Sequence, residues 1–318
     1  MNKIILISGD PNSINSEIIY KTWKNLNKSL KRRIYIISNF ELLKKQFSNL
    51  KYSIKINKIN NIHEKTKHNE LNVISLELKF KKPFCVSKKE ASKFVLNSLD
   101  YAHSLVIKDK KISIINCLIN KNLLKKNKIG VTEYLAKKCK VKDSSEAMLI
   151  KSKNFAVSPI TTHIDVNEIS KKINSKIIFN KIFTIHNWYK DKFKTKPKIG
   201  VLGLNPHNAE LRVNSEERRI VIPSISKLKN CGVNVNGPLV ADTIFIKEYK
   251  NYDLLVGMYH DQVLAPFKAL FNFDAINITL GLKYLRVSPD HGTAANLIGK
   301  KKANPASLIN CINFLNKK

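Results

Sequence analysis

The feature that most constrains the fold of this sequence is the alternation of short apolar runs with longer segments of helical periodicity. The runs are rich in Ile, Leu and Val, and most precede a segment whose apolar residues recur at helical spacing. This order predicts an α/β protein with a mainly parallel sheet. The predicted strands span residues 3–8, 33–37, 104–107, 112–115, 198–202, 254–257 and 275–279. The predicted helices span residues 16–30, 88–102, 131–138, 167–172, 175–189, 226–231, 242–247 and 305–315.

The charge of the chain raises the question of a nucleic-acid partner. The 318 residues carry a formal net charge of +33, but the lysines are spread over the whole length without one dominant tract. Asn and Ile are abundant, and only 10 glycines occur, which indicates a drift in overall composition. Net charge speaks to solubility and non-specific binding, so we expect no specific nucleic-acid partner. The positive field would still attract an anionic phosphorylated substrate.

Cysteine usage and apolar stretches bear on the compartment. The five cysteines are widely scattered and include no CxxC pair, which argues against a disulfide framework and against a cysteine zinc site. The first apolar run is too short for a signal-peptide core. No stretch approaches the roughly 20 apolar residues that cross a bilayer. We therefore expect a soluble cytoplasmic protein with no membrane partner.

Three of the eight histidines lie in polar settings, and the segments of two of them directly follow a predicted strand. They are His163 in Thr-Thr-His-Ile-Asp, His207 in Gly-Leu-Asn-Pro-His, and His260 in Met-Tyr-His-Asp-Gln. Ligands bind at the carboxyl ends of parallel strands, and histidine is the commonest metal ligand. Their wide spacing matches no compact zinc motif, so hydrogen-bonded structural histidines remain an alternative.

Further polar residues late in the chain suit an anionic substrate and a dinucleotide. Lys268, Asn277 and Arg286 combine a point charge, an amide and a planar guanidinium, which suits a phosphate and a carboxylate. A solvated basic surface is the alternative for Lys268. The run Asp290-His291-Gly292-Thr293 predicts a turn before a helix, whose backbone amides could approach a dinucleotide.

Read in order, these segments resemble the motifs of the 4-hydroxythreonine-4-phosphate dehydrogenase family. The resemblance runs from about residue 7 to residue 310 and preserves the order throughout. The segments Met258–Gln262 and Ser288–Ala294 are its most specific parts. The others are Gly9-Asp10-Pro11, Asn120-Lys121, Thr132–Ala136, Thr162-His163, Gly203–His207, Glu216-Glu217, Gly237-Pro238 and Ala241-Asp242-Thr243.

The resemblance implies a fold similar to isocitrate and isopropylmalate dehydrogenases. Two α/β/α domains would place the active site in the interdomain cleft of a homodimer, near the partner subunit. Residues 1–118 and 270–318 would form a discontinuous domain on the cofactor side, and residues 119–269 a domain on the metal and dimer side. The absence of a GxGxxG fingerprint agrees with a fold other than the Rossmann fold.

The resemblance also assigns residues to roles. It implies a divalent metal on His163, His207 and His260, with zinc expected first and magnesium or cobalt as alternatives. It implies substrate contacts at Thr132, Lys268, Asn277 and Arg286. We predict NAD or NADP beside His291, Gly292, Thr293 and Ala294. Asp242 is the candidate base that takes the proton of the substrate hydroxyl, with Asp261 as the alternative.

Three departures from the family pattern leave other functions open. Val131 replaces a substrate-contacting histidine, and two glycine-rich stretches have become Ser13-Ile14-Asn15 and Asn208–Arg212. Non-glycine residues at positive φ are costly, so these loops are expected to differ in shape. One alternative is a paralogous dehydrogenase of a 4-phosphorylated sugar acid, such as threonate or erythronate 4-phosphate. Others are a basic nucleic-acid-binding protein and a relative that has lost catalysis.

Overall fold

The computed structural model describes residues 2–109, 111–124, 130–142, 145–272, 274–290 and 292–316. Its strands are β1 (Lys3–Ile7), β2 (Ile34–Ser38), β3 (Lys55–Ile59), β4 (Glu70–Ser75), β5 (Ile112–Asn116), β6 (Ala147–Lys151), β7 (Ala156–Pro159), β8 (Ile199–Leu202), β9 (Val235–Leu239), β10 (Leu254–Gly257), β11 (Ile276–Leu280) and β12 (Arg286–Pro289). Its helices are α1 (Asn15–Asn25), α2 (Lys28–Lys31), α3 (Phe40–Asn49), α4 (Lys88–Val106), α5 (Val131–Lys138), α6 (Ile169–Lys172), α7 (Ser175–Phe193), α8 (Ile222–Asn230), α9 (Ala241–Ile244), α10 (His260–Phe271) and α11 (Ala306–Asn316). Among these helices, none has the length and apolar character to pass through a bilayer.

The chain divides into two compact units. The first comprises Met1–Lys138 and Lys283–Lys318, so the chain leaves this unit and later returns to it. The second comprises Cys139–Leu282. Each unit contains both strands and helices, which confirms the α/β class predicted from the alternating pattern.

The first unit is built on a parallel sheet in the order β3-β4-β2-β1-β5-β12. Ile5 of β1 pairs with Tyr35 of β2 on one side and with Ile114 of β5 on the other. The central strands are almost continuously buried. β-branched residues such as Ile pack well on the surface of a sheet. Strands that are covered on both faces have unbroken apolar sequences.

The second unit has the strand order β11-β6-β7-β10-β8-β9. β6 runs antiparallel to both of its neighbours, whereas β7, β10, β8 and β9 are parallel. Val157, Leu202, Leu255 and Phe267 belong to a buried cluster that joins these strands to α10. Because β7, β10 and β8 are adjacent and parallel, their carboxyl ends meet at one edge of the sheet.

The structure corrects one predicted strand and adds strands that were not predicted. The predicted strand at residues 104–107 lies mostly in α4, whose buried residues Leu99, Ala102 and Val106 continue the helical spacing. Residues 50–72 contain β3 and the start of β4, neither of which is among the predicted strands. β3 is half-exposed at the edge of its sheet, so its residues lack the apolar run that identified the central strands.

Candidate active site

Three histidine-bearing turns follow the carboxyl ends of neighbouring strands in the second unit. His163 follows β7, His207 follows β8, and His260 follows β10. Since β10 lies between β7 and β8, the His260 turn lies between the other two. The strand order therefore places the three predicted metal ligands along one edge of one sheet, where parallel α/β folds hold their ligands.

His163 and His260 lie close to each other. Their ring centroids are 5.4 Å apart, and the rings are tilted by 41°. Thr161 fixes the two turns to each other, because its backbone N–H and its hydroxyl both donate to the carbonyl oxygen of Met258, at 3.1 and 2.8 Å. A pocket of about 210 Å³ lies beside the two rings and is also lined by Tyr259 and Asp261.

The ring of His260 is oriented by its neighbour in the sequence. His260 begins α10, and its Nδ1 is 2.8 Å from Oδ1 of Asp261. In a neutral ring, the Nδ1–H donates to this carboxylate and the lone pair remains on Nε2. A carboxylate that fixes the tautomer in this way is the usual outer partner of a metal-binding histidine.

His207 lies on a turn with an unusual backbone. The side chain is exposed, and φ is positive for five consecutive residues, His207 to Leu211, with values from 45 to 56°. None of the five is glycine, and the left-handed conformation costs such residues roughly 1–2 kcal/mol each. The Asn208–Arg212 stretch, in which this chain lacks the glycines of the family, therefore overlaps a strained left-handed turn. At Ser13 and Asn15, the other departure, φ is not positive.

A buried carboxylate holds the beginning of this turn. Glu217 is fully buried, and its Oε1 accepts hydrogen bonds from the backbone N–H groups of Leu204 and Asn205, both at 2.8 Å. The side-chain amide of Asn205 donates to Glu217 Oε2 at 3.1 Å and to Glu216 at 2.9 Å. Burial by itself would raise the pKa of Glu217, but the hydrogen bonds from Asn205 and Leu204 outweigh it and lower the pKa.

The donor set suits a divalent metal, and two of the three predicted ligands lie side by side. Within the described ranges, no group of three or more His, Cys, Asp or Glu side chains is arranged to hold an ion. His163 and His260 nevertheless offer two imidazoles on one pocket, and the Nδ1 contact of His260 leaves its Nε2 for coordination. Two neighbouring imidazoles fit two positions of a three-histidine site.

Two of the predicted substrate residues come together in the first unit. Arg286 is 3% exposed, and its Nε donates to Asn116 Oδ1 at 2.6 Å. Its Nη1 lies 3.5 Å from the hydroxyl of Thr132 on α5. Burial lowers the pKa of Arg286 to about 10, so the guanidinium stays charged at neutral pH. Val131, which replaces the family histidine, is the first residue of the same helix.

The other two predicted substrate residues belong to the second unit. Lys268 lies in the last turn of α10 and is partly buried. Asn277 lies in β11, opposite Ile150 of β6. The Oδ1 atom of Asn277 is shielded from solvent, and no hydrogen-bond donor reaches it among the described residues. A buried acceptor without a donor requires an explanation. A bound ligand that donates a hydrogen bond to Asn277 Oδ1 would provide it.

The predicted cofactor turn follows β12 in the first unit. The carbonyl of Thr293 accepts a hydrogen bond from the backbone N–H of Ile14 at 3.3 Å, which joins this turn to the one after β1. Gly9, in the turn after β1, has a φ of +75°, and a Cβ there would lie 2.5 Å from the carbonyl oxygen of Leu118. Ala294 is also left-handed, with a φ of 43°, and Gly292 is exposed. His291 lies outside the described residues.

The two candidate bases differ in their contacts. Asp242 is exposed in the first turn of α9. The side chain of Asp261 is 82% exposed, but it is engaged with Nδ1 of His260. The geometry therefore gives Asp261 an orienting role toward the imidazole.

Sequence reasoning did not assign roles to the side chains that hold these turns. Glu217 and Asn205 are both part of the resemblance, but an acidic pair in a polar stretch normally indicates a solvated surface. The local signal that could have identified Glu217 is the Glu-Glu pair a few residues before the apolar run Ile220–Ile222, where α8 begins. Burial of one member of that pair follows only from the packing of the unit.

Comparison with known proteins gives concordant results in sequence and in structure. The family model for the pyridoxal phosphate biosynthetic protein PdxA matches residues 12–315. A 4-hydroxythreonine-4-phosphate dehydrogenase from Sulfurihydrogenibium sp. is 36% identical over 321 residues, covering 98% of this chain and 97% of that protein. The match thus extends over nearly the whole length of both proteins.

Solved structures support both the family and the fold. A crystal structure of 4-hydroxythreonine-4-phosphate dehydrogenase from Klebsiella pneumoniae has a TM-score of 0.85 and 28% identity, with 99% of each chain covered. An isocitrate dehydrogenase from Methylococcus capsulatus has a TM-score of 0.50 and 11% identity, covering 99% of this chain and 85% of that one. The second likeness concerns the fold alone, and it confirms the predicted isocitrate dehydrogenase-like class.

Proposed function

We propose, since this chain belongs to the family of the pyridoxal phosphate biosynthetic protein PdxA, that it oxidises 4-phosphohydroxy-L-threonine with NAD or NADP. The product is 2-amino-3-oxo-4-phosphooxybutanoate, a β-keto acid that loses CO₂ to leave 3-amino-2-oxopropyl phosphate. The observation that carries the proposal is the continuous match to the family over residues 12–315. This reaction belongs to pyridoxal phosphate biosynthesis.

A divalent metal would be held by His163, His207 and His260, with zinc expected first and magnesium or cobalt as alternatives. A bound divalent ion supplies a positive charge that lowers the pKa of the substrate's secondary hydroxyl. Asp261 keeps His260 in the tautomer whose Nε2 can coordinate, as its 2.8 Å contact with Nδ1 indicates. Three imidazoles would hold the ion through nitrogen lone pairs and would leave its double charge uncompensated.

The site lies near the partner subunit of a homodimer. The described part of one chain gathers no three metal-binding side chains, although His163 and His260 are neighbours. A second copy can supply His207 to that pair. Two apolar side chains in the segments that follow His163 and His207 are exposed, with Val166 81% and Val213 70% accessible. Burial of such side chains against a second copy would stabilise the dimer.

Arg286 and Thr132 bind an anionic group of the substrate. The guanidinium is held in place by Asn116, and the Thr132 hydroxyl lies beside it at 3.5 Å. Because Arg286 is buried yet charged, an anion would neutralise a charge that water cannot reach. Asn277 offers a shielded carbonyl oxygen to a donor on the substrate, and Lys268 adds a positive charge.

Proton removal is assigned to Asp242. Its carboxylate is exposed, whereas Asp261, the alternative base, is occupied in orienting His260. The carboxylate takes the hydroxyl proton as hydride leaves for the nicotinamide. A dinucleotide would bind against the turn that contains Gly292, Thr293 and Ala294. His291, which is also predicted to contact it, lies outside the described residues. The contact between Thr293 and Ile14 supports this position by joining two turns at the ends of parallel strands.

The test is formation of reduced nicotinamide by the purified chain with 4-phosphohydroxy-L-threonine and either NAD or NADP. We expect turnover that a chelator abolishes and that added zinc, magnesium or cobalt restores. Turnover that persists after complete removal of divalent ions would contradict the metal role. No turnover by folded, zinc-loaded protein would contradict the substrate.

Val131 favours a second candidate function, oxidation of a phosphorylated sugar acid such as threonate or erythronate 4-phosphate. It replaces an imidazole with an apolar side chain, directly before Thr132 and its arginine partner. A comparison of kcat/KM for amino and hydroxy substrates distinguishes the two functions. Preference for the sugar acid, reversed by Val131→His, would establish the alternative.

A further inference from the structure

One side chain joins two of the three histidine-bearing turns. Gln262 lies in the first turns of α10, two residues after His260. Its Oε1 accepts the backbone N–H of Met258 at 2.7 Å, and its Nε2 donates to the carbonyl oxygen of Gly203, also at 2.7 Å. Met258 belongs to the turn of His260, and Gly203 begins the turn of His207.

The connection extends to the third turn through the same residue, Met258. The carbonyl of Met258 accepts both hydrogen bonds from Thr161, in the turn of His163. A continuous path of short hydrogen bonds therefore runs from Thr161 through Met258 and Gln262 to Gly203. The His207 turn is held from its other side by Glu217, which receives the N–H groups of the next two residues.

The chemistry of this position is specific to glutamine. The side chain must accept at one terminal atom and donate at the other. A carboxylate retains the acceptor but places an oxygen against the Gly203 carbonyl. Asparagine carries the same amide one methylene shorter. An apolar side chain of similar length leaves both the Met258 N–H and the Gly203 carbonyl without this partner.

We propose that Gln262 is a positioning residue that fixes the His207 turn against the His260 turn of its own chain. It thereby sets where this chain presents His207 to the His163 and His260 pair of the other copy, so that metal affinity depends on it. This inference rests on the proposed role of the three histidines as metal ligands. Gln262 touches neither the metal nor the substrate. It acts through the two backbones, as outer partners of metal ligands commonly do.

The experiment compares Gln262→Glu and Gln262→Met with the intact chain. Gln262→Glu keeps the size and the acceptor, so it carries the test if Gln262→Met does not fold. Ile182→Val is the control for a general loss of stability, because it removes one buried methylene from α7 in the same unit. Two quantities are measured, the affinity for zinc alone and, without metal, hydrogen exchange of the Leu204 and Asn205 amides.

We expect zinc affinity to fall at least about tenfold in both Gln262 variants and to stay unchanged in Ile182→Val. The Leu204 and Asn205 amides, which bond to Glu217 and not to Gln262, should also exchange at least about tenfold faster. Unchanged exchange and unchanged zinc affinity in both variants would overturn the proposal. If the intact chain binds no zinc, the metal role fails, and the exchange rates alone decide whether Gln262 positions the turn.

Discussion

Arg286 donates to Asn116 through a hydrogen bond of 2.6 Å in a part of the first unit where the arginine is 3% exposed. The guanidinium is thereby held rigidly while it carries a full charge. A buried charge of this kind is stable when several polar groups share it, and a bound anion adds to them.

Replacing Arg286 with Lys should lower kcat/KM for the phosphorylated substrate at least about tenfold, mainly through KM. Lysine lacks the planar fork, and the loss of a hydrogen bond to a charged group is worth about 1.5–3 kcal/mol. Steady-state kinetics at saturating cofactor measure the change. Arg32→Lys, at an exposed arginine of the same unit, is the matched control. An unchanged KM for Arg286→Lys would remove the residue from the substrate site.

The lowered pKa of Glu217 predicts a specific dependence of stability on pH. Its ordinary pKa is 4.5, and the folded value is lower, so the unfolded chain binds more protons in the interval between the two. The stabilisation is therefore complete above about pH 4.5 and is lost as the pH falls through the folded pKa. Glu217→Gln should be less stable by about 1 kcal/mol at neutral pH, because a charged acceptor becomes neutral.

Thermal unfolding of both proteins in steps from neutral to acidic pH tests this prediction. The difference between their melting temperatures should shrink as the pH falls below about 4.5. A difference that is the same at every pH would mean that the charge of Glu217 does not stabilise the Leu204–Asn205 turn.

The left-handed turn after His207 predicts a substitution that increases stability. Leu211 has a φ of 55° and a side chain that is 42% exposed, so glycine relieves backbone strain with little loss of packing. Leu211→Gly should raise the free energy of unfolding by about 0.5–1 kcal/mol. Leu270→Gly is a close control, because Leu270 is 43% exposed but lies in α10.

In the control position, glycine should lower stability by about 1 kcal/mol, since it is a poor helix former. Chemical denaturation of the two variants measures both changes. Equal destabilisation by the two substitutions would contradict a left-handed conformation at Leu211 in solution.

A metal site that is shared between two subunits predicts that two variants, each inactive by itself, regain activity when they are combined in one dimer. His207→Ala and His260→Ala should each lose zinc binding and turnover. In a mixed dimer of the two, one site would combine an intact His163 and His260 pair with an intact His207 from the other copy. Co-expression at equal levels should therefore restore about a quarter of the activity, because half of the dimers are mixed and each has one intact site.

The matched control is co-expression of His163→Ala with His260→Ala. These two histidines are neighbours in one chain, with ring centroids 5.4 Å apart, so every site in that mixture lacks one of them. No activity should return. Equal activity from the two mixtures would exclude a site in which His207 comes from the other copy.

The sequence by itself determined the α/β class and the family. Apolar runs such as β1 and β5, followed by helical spacing, are local patterns, and burial on both faces requires them to be nearly unbroken. The specific segments around His207, His260 and Ser288 occur in family order, and the match over residues 12–315 confirms that interpretation. The error at residues 104–107 arose because a short apolar run has no period of its own, and the longer spacing of α4 prevails.

Only the tertiary structure decided which of these segments are neighbours and which polar groups are buried. β10 lies between β7 and β8, although it comes last of the three in the chain, and this order brings His260 beside His163. Such pairing depends on packing between distant segments, which local propensity does not encode. The same packing buries Glu217 and Arg286, whose residue types alone indicate an exposed surface. Their hydrogen-bond partners, Leu204 and Asn116, are defined by the folded chain.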